Sequence, residues 1–186
     1  MKIILASNSP RRKELLAGLG YPYEVRVLSD IDESYPDTLR GSEVASYISR
    51  VKADAYARTM AADELIITAD TIVWLDGEVM GKPQDEEDAR RMLRALSGRT
   101  HQVITGVCLT SVANQKSFAT VTDVTFARLT EEEISYYVER YRPMDKAGSY
   151  GIQGGAALFA ERIEGDYFNV VGLPVSGVYK KIIEKL

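Results

Sequence analysis

Arg11, Arg12 and Lys13 follow Ser9 and Pro10 in the run Ala6-Ser7-Asn8-Ser9-Pro10-Arg11-Arg12-Lys13-Glu14-Leu15-Leu16. Pro10 suits the first position of a helix and Ser9 its N-cap. Three cations then crowd a first turn whose free N–H groups and positive dipole end favour acids instead. An anion at that turn resolves the conflict, because N–H donors, serine hydroxyls and arginine forks together make a phosphate site. The bland alternative is solvated surface charge, with Lys13 its best example.

Asp70 closes the apolar run Leu65-Ile66-Ile67-Thr68-Ala69. An acid beyond the carboxyl edge of a strand stands where α/β sheets place ligands, although a turn acid would look the same. The loop over residues 29–41 offers Asp30, Asp32 and Glu33, which could join Asp70 around a cation. Carboxylate ligands favour a hard divalent cation, Mg²⁺ or Mn²⁺. His101 is the only histidine. It lies beside a strand-like run, so neither a histidine-rich zinc site nor a Ser-His-Asp triad has enough partners.

Three weaker signals remain. Gly77-Glu78-Val79-Met80-Gly81-Lys82-Pro83 falls short of a P-loop, with one residue too few between the glycines and Pro83 in place of the metal-binding Ser or Thr. Lys82 can still meet a phosphate as a point charge. Lys52 lies four residues from both Ile48 and Tyr56 at the edge of an apolar helix face, where a snorkelling lysine and a ligand look alike. Asp145-Lys146-Ala147-Gly148-Ser149-Tyr150-Gly151-Ile152-Gln153-Gly154-Gly155 mixes glycines, which let backbone approach a ligand, with groups able to read a base or ribose.

Short β-branched runs alternating with helical periods must position these groups, which predicts an α/β or mixed α+β sheet protein. Strands are expected over residues 3–6, 23–28 and 65–69. A hairpin follows at residues 72–75 and 78–80 through Asp76-Gly77, and a long strand pair covers 100–111 and 116–127. Helices are expected over residues 11–19, ended by Gly20; from Ser42, with Val44, Ile48, Val51 and Ala55 on one face; over 85–96; and from the capping box Thr130-Glu131-Glu132-Glu133 to near Pro143. Leu173-Pro174 introduces a last helix expected to reach the C-terminus.

The 186 residues, 45% apolar and 27% charged, suit one folded unit over 1–186. A net charge of −4 argues against coating a nucleic-acid polymer. The single cysteine, Cys108, cannot form an internal disulfide and reads as a buried strand residue. The N-terminal apolar run is too short for a signal peptide, and no window has the length of a membrane span, so a cytoplasmic protein is expected.

Taken together, Ser7-Asn8-Ser9-Pro10-Arg11-Arg12, Asp70-Thr71, Gly81-Lys82-Pro83, Lys146-Ala147-Gly148-Ser149-Tyr150-Gly151-Ile152-Gln153-Gly154 and Gly165-Asp166-Tyr167-Phe168-Asn169-Val170-Val171-Gly172-Leu173-Pro174 resemble the Maf family of nucleotide pyrophosphatases. The resemblance spans nearly the whole chain and is strongest to the branch acting on dTTP and UTP. It implies an elongated, twisted mixed sheet flanked by helices around a central cleft, related to the inosine triphosphate pyrophosphatases. It also implies hydrolysis of a nucleoside triphosphate to monophosphate and pyrophosphate in a house-cleaning role. By the same resemblance Asp70 is the proton acceptor, Ser7, Ser9, Arg11, Arg12, Lys52 and Lys82 hold phosphates, and Glu33 and Asp70 meet the metal. Arg12 and Thr71 join Gln153 as specificity positions, and relatives often form homodimers. Residue chemistry leaves open whether Asp70 or Glu33 takes the proton. A rival reading is a nucleotide-binding regulator of septum formation without essential catalysis.

Overall fold

The computed structural model describes residues 1–184. Its first strand, β1 (Lys2–Leu5), is flanked on both edges by parallel strands, β2 (Tyr23–Val25) and β3 (Glu64–Leu75). β3 turns through Asp76 and Gly77, with φ of 53° and 87°, into β4 (Glu78–Met80), as the Asp-Gly signal predicts. The long antiparallel pair is β5 (Thr100–Thr110) and β6 (Gln115–Phe126), with β7 (Ala160–Glu164) along its outer edge. The resulting seven-stranded mixed sheet has the order β2-β1-β3-β5-β6-β7, with β4 added to β3.

Among the described residues six α-helices cover it: α1 (Pro10–Ala17), α2 (Ser42–Ala57), α3 (Glu86–Leu96), α4 (Glu131–Tyr141), α5 (Tyr167–Val171) and α6 (Val175–Ile183). Side chains alternate across β3, so its even and odd residues serve different faces. Ile72 packs with Val44, Ala45 and Ile48 of α2. On the other face Leu65, Ile67 and Ala69 join Leu16 of α1 and Val178 and Ile182 of α6. Further along the same face, Val73 and Leu75 belong to a second core with Leu93 and Leu96 of α3 and Val138 of α4. Full burial of such a side chain contributes roughly 1.5–3 kcal/mol, so each lobe has its own reason to close. The two cores part at Thr71, between Ala69 and Val73.

β3 differs from its expected form in a way that matters. The strand does not stop at Ala69 but runs on to Leu75, and Asp70 pairs with Gly106 of β5 in mid-strand. What ends there is its neighbour. β1 pairs as far as Ile67 and β4 begins at Val73, so residues 68–72 have no strand on that side. Asp70 therefore borders a gap in the sheet rather than a strand terminus.

Other departures have local causes. α1 ends at Ala17 with Gly18 as its cap, and Gly20, at φ 75°, closes the turn that follows. β2 stops at Val25, and the Leu28 N–H donates to the Tyr56 hydroxyl at 2.8 Å instead of a ladder. Gly41, not Ser42, is the N-cap of α2. The Thr130–Glu133 capping box forms as predicted. The short helix α5, capped by the Asp166 side chain, has no periodicity to announce it. The last helix is described to Ile183, and residues 185–186 lie outside the described residues. Among the described residues no helix is long and apolar enough to cross a membrane.

Candidate active site

Where the two cores part and the sheet edge is open, a cleft of about 520 Å³ forms. Five basic side chains and three carboxylates line it, although the chain as a whole carries −4. The cleft is thus a local basic basin in an acidic protein, the electrostatics suited to a small polyanion.

Lys52 organises one side of it. Its Nζ stands 2.8 Å from Asp70 Oδ1 and 3.1 Å from Glu33 Oε2. Lys52 and Asp70 are only 14% and 15% exposed, while Glu33, on the loop, is 53% exposed. The lysine reaches this far because the buried face of α2 is rotated from the expected one. Val44, Ala45, Ile48, Ser49, Ala53 and Tyr56 are buried, while Val51 and Ala55 flank the face half-buried. Lys52 then sits mid-face rather than at its edge. Small residues allow the close approach: a Cβ on Gly106 would collide with the Ala45 carbonyl, and Thr68 Oγ1 donates to the Ser49 carbonyl at 2.7 Å.

Glu33 and Asp70 converge on a single cation position, which the Lys52 ammonium satisfies. Two hard carboxylates fit Mg²⁺ or Mn²⁺, which commonly takes one or two carboxylates and completes its shell with water and phosphate oxygens. Among the described residues no group of three or more His, Cys, Asp or Glu gathers as a metal cage, so any further donors would come from substrate and solvent. Asp30 and Asp32 do not line the cleft, and Asp32 accepts from the Ser34 N–H within its own loop at 2.9 Å.

The basic helix start divides its labour. Ser9 caps α1, its Oγ accepting from the Arg12 N–H at 3.4 Å. Ser7 lies buried outside the cleft wall, its Oγ accepting from the Ser9 N–H at 3.2 Å. Lys13 turns to Asn8. Arg11 faces the cleft, with Nη1 3.5 Å from Asp145 Oδ2. Arg12 is held more firmly: Nε donates to the Gly172 carbonyl at 2.8 Å and Nη2 to Thr71 Oγ1 at 3.0 Å. Burial disfavours its charge and the nearby Asp70 carboxylate partly restores it.

Thr71 continues this chain to Thr105, 2.8 Å between hydroxyls, and Thr105 Oγ1 donates to the Asn169 carbonyl at 3.2 Å. The buried Asn169 amide donates to the Val103 carbonyl and to Thr122 Oγ1, both at 2.9 Å, pinning α5 and with it the Gly172 carbonyl. Residue types along the chain do not reveal Thr105 or Asn169 as supports; their only signal is that a buried polar group needs a partner. Lys82 and Gln153 are exposed on the cleft wall, each beside a buried anchor, Pro83 and Ile152.

His101 is buried behind the site, its Nε2 2.7 Å from the Tyr150 hydroxyl and its ring edge-on to Phe126. Burial pushes its pKa down to about 4, so the ring is neutral. Cys108 is likewise buried, where desolvation pushes its thiol up to about 11.

The family signature described as Maf-like protein matches residues 2–185. A dTTP/UTP pyrophosphatase of Phocaeicola vulgatus is 65% identical over 182 residues, covering 97% of this chain and 94% of its own. One of Bacteroides fragilis is 59% identical with the same coverage. Among solved structures, a HAM1 protein from Coxiella burnetii aligns over 99% of both chains with a TM-score of 0.50 at 17% identity, a likeness of fold alone.

Proposed function

The chain belongs to the Maf-like protein family, and we propose that it hydrolyses dTTP and UTP to the monophosphate and pyrophosphate. The observation that carries this reading is the pairing of a basic cleft with one shielded carboxylate, Asp70, at the gap in the sheet. The relatives named dTTP/UTP pyrophosphatases support the substrate class.

In this reading Arg11, Lys52 and Lys82 hold the phosphates, and water attacks the α phosphorus in line with the departing pyrophosphate. There is little covalent work for the protein to do, so catalysis rests on position and charge. Asp70 orients the water and accepts its proton, and Lys52, 2.8 Å away, aims the Asp70 carboxylate. A divalent cation held by Glu33 and Asp70 would spread the charge gathering on the leaving group. A cytosolic setting follows from the substrate, because nucleoside triphosphates are held there.

The base falls to Gln153. Its amide carries a donor and an acceptor and can pair with the O4 and N3–H edge shared by thymine and uracil. Cytosine presents an amino group and an unprotonated nitrogen there, which requires the amide to turn over, whereas thymine and uracil differ only by a methyl group and are both accepted. Arg12, bonded both to Thr71 and to the Gly172 carbonyl, forms with Thr71 a rigid part of the same cleft wall.

The test is pyrophosphate release from dTTP, UTP, CTP, ATP and GTP, with Mg²⁺, with Mn²⁺ and with a chelator. Release led by dTTP and UTP and lost on chelation is expected. No release would overturn the reading, and equal rates on all five nucleotides would remove the base assignment.

A further inference from the structure

Arg11 and Lys146 both line the cleft and share one carboxylate. Asp145 Oδ1 accepts from Lys146 Nζ at 2.6 Å, and Asp145 Oδ2 faces Arg11 Nη1 at 3.5 Å. Lys146 and Arg11 are shielded, at 24% and 30% exposure, but Asp145 is 61% exposed. An acid so open to water gains little from such pairs and is cheap to release.

The lysine is more deliberately placed than its partner. A Cβ on Gly151 would fall 2.9 Å from Lys146 Cε, so the glycine-rich segment yields space to the lysine stem. The turn that follows is tied to the neighbouring wall, with the Gly148 N–H donating to the Gly81 carbonyl at 3.0 Å. That bond joins the segments that carry Lys82 and Lys146, both of which line the cleft.

We propose that Lys146 is a further polyphosphate-binding residue and that Asp145 is its placeholder, a carboxylate that the phosphates of the substrate displace. Phosphate oxygens offer Arg11 and Lys146 the same hydrogen bonds with more charge, and the freed Asp145 returns to water at little cost. Because Lys146 and Gln153 share one segment, filling the phosphate end also draws on the segment that reads the base. The inference rests on the pyrophosphatase reading.

It is tested by calorimetry with inorganic tripolyphosphate on the full chain. Asp145→Asn should lower the Kd by about threefold to tenfold, and Lys146→Met should raise it by about tenfold, with Lys146→Arg within about threefold of wild type. Free uridine, which has no phosphate, should bind all variants alike. A structural brace would give the opposite sign for Asp145→Asn, weaker binding with a lower melting temperature. That outcome, or unchanged binding in Lys146→Met, overturns the proposal. A wild-type protein that binds tripolyphosphate but releases no pyrophosphate from dTTP or UTP instead overturns the reading beneath it.

Discussion

Lys52 donates to Asp70 across 2.8 Å from the middle of the buried face of α2, tying the helix to the open stretch of β3. The pair makes the acid's position a property of helix–sheet packing, and the consequences can be measured.

Asp70→Asn keeps the shape of the side chain and removes its charge and basicity. Turnover should fall by about 10²- to 10⁴-fold, the usual contribution of a positioned base. The circular dichroism spectrum should stay that of the wild type. Near-normal rates in the folded variant would take Asp70 out of the mechanism.

Gly106→Ala tests the packing on which that pair depends. The added methyl meets the Ala45 carbonyl and can be housed only by moving α2 off the sheet. Overpacking of this kind costs about 1–3 kcal/mol, here with a loss of turnover as Lys52 is carried from Asp70. Denaturant titration and kinetics check both effects, and full activity in a destabilised variant would separate the helix position from catalysis.

Gln153→Ala should compress the preference for dTTP and UTP over CTP by about tenfold, the scale of one lost polar contact. Competition between UTP and CTP in a single mixture reads this directly. An unaltered ratio would move base reading elsewhere on the wall.

His101 sets an acid limit on stability. Its folded-state pKa, lowered by burial to about 4, lies below the ordinary 6.5. Between those values the unfolded chain takes the proton first, so stability falls as pH drops from about 6.5 towards 4. The loss attributable to this one group is on the order of 3 kcal/mol. Urea midpoints at pH 7 and pH 4.5 should differ accordingly, and His101→Gln should flatten the slope. A wild-type midpoint with no pH dependence across that window would contradict a buried neutral ring.

How much of this is legible without coordinates depends on the reach of each interaction. The Asp76-Gly77 hairpin, the Thr130–Glu133 capping box and the Ser9-Pro10 helix start are fixed by contacts within a few residues, so residue order alone determines them. The chemical types of the candidate site, basic residues after a cap and an acid on an apolar strand, are legible for the same reason. Tertiary structure decided the rest. Arg12 meets Thr71 at a separation of 59 residues and Gly172 at 160, and no spacing rule predicts either. Asp70 looked like a strand terminus because the termination belongs to β1 and β4 on the neighbouring edge, not to β3. Lys52 looked peripheral because helical periodicity weighs apolar bulk. The face that packs is set instead by where small residues, Ala45 and Ser49 on α2 and Gly106 on β5, let backbone approach backbone.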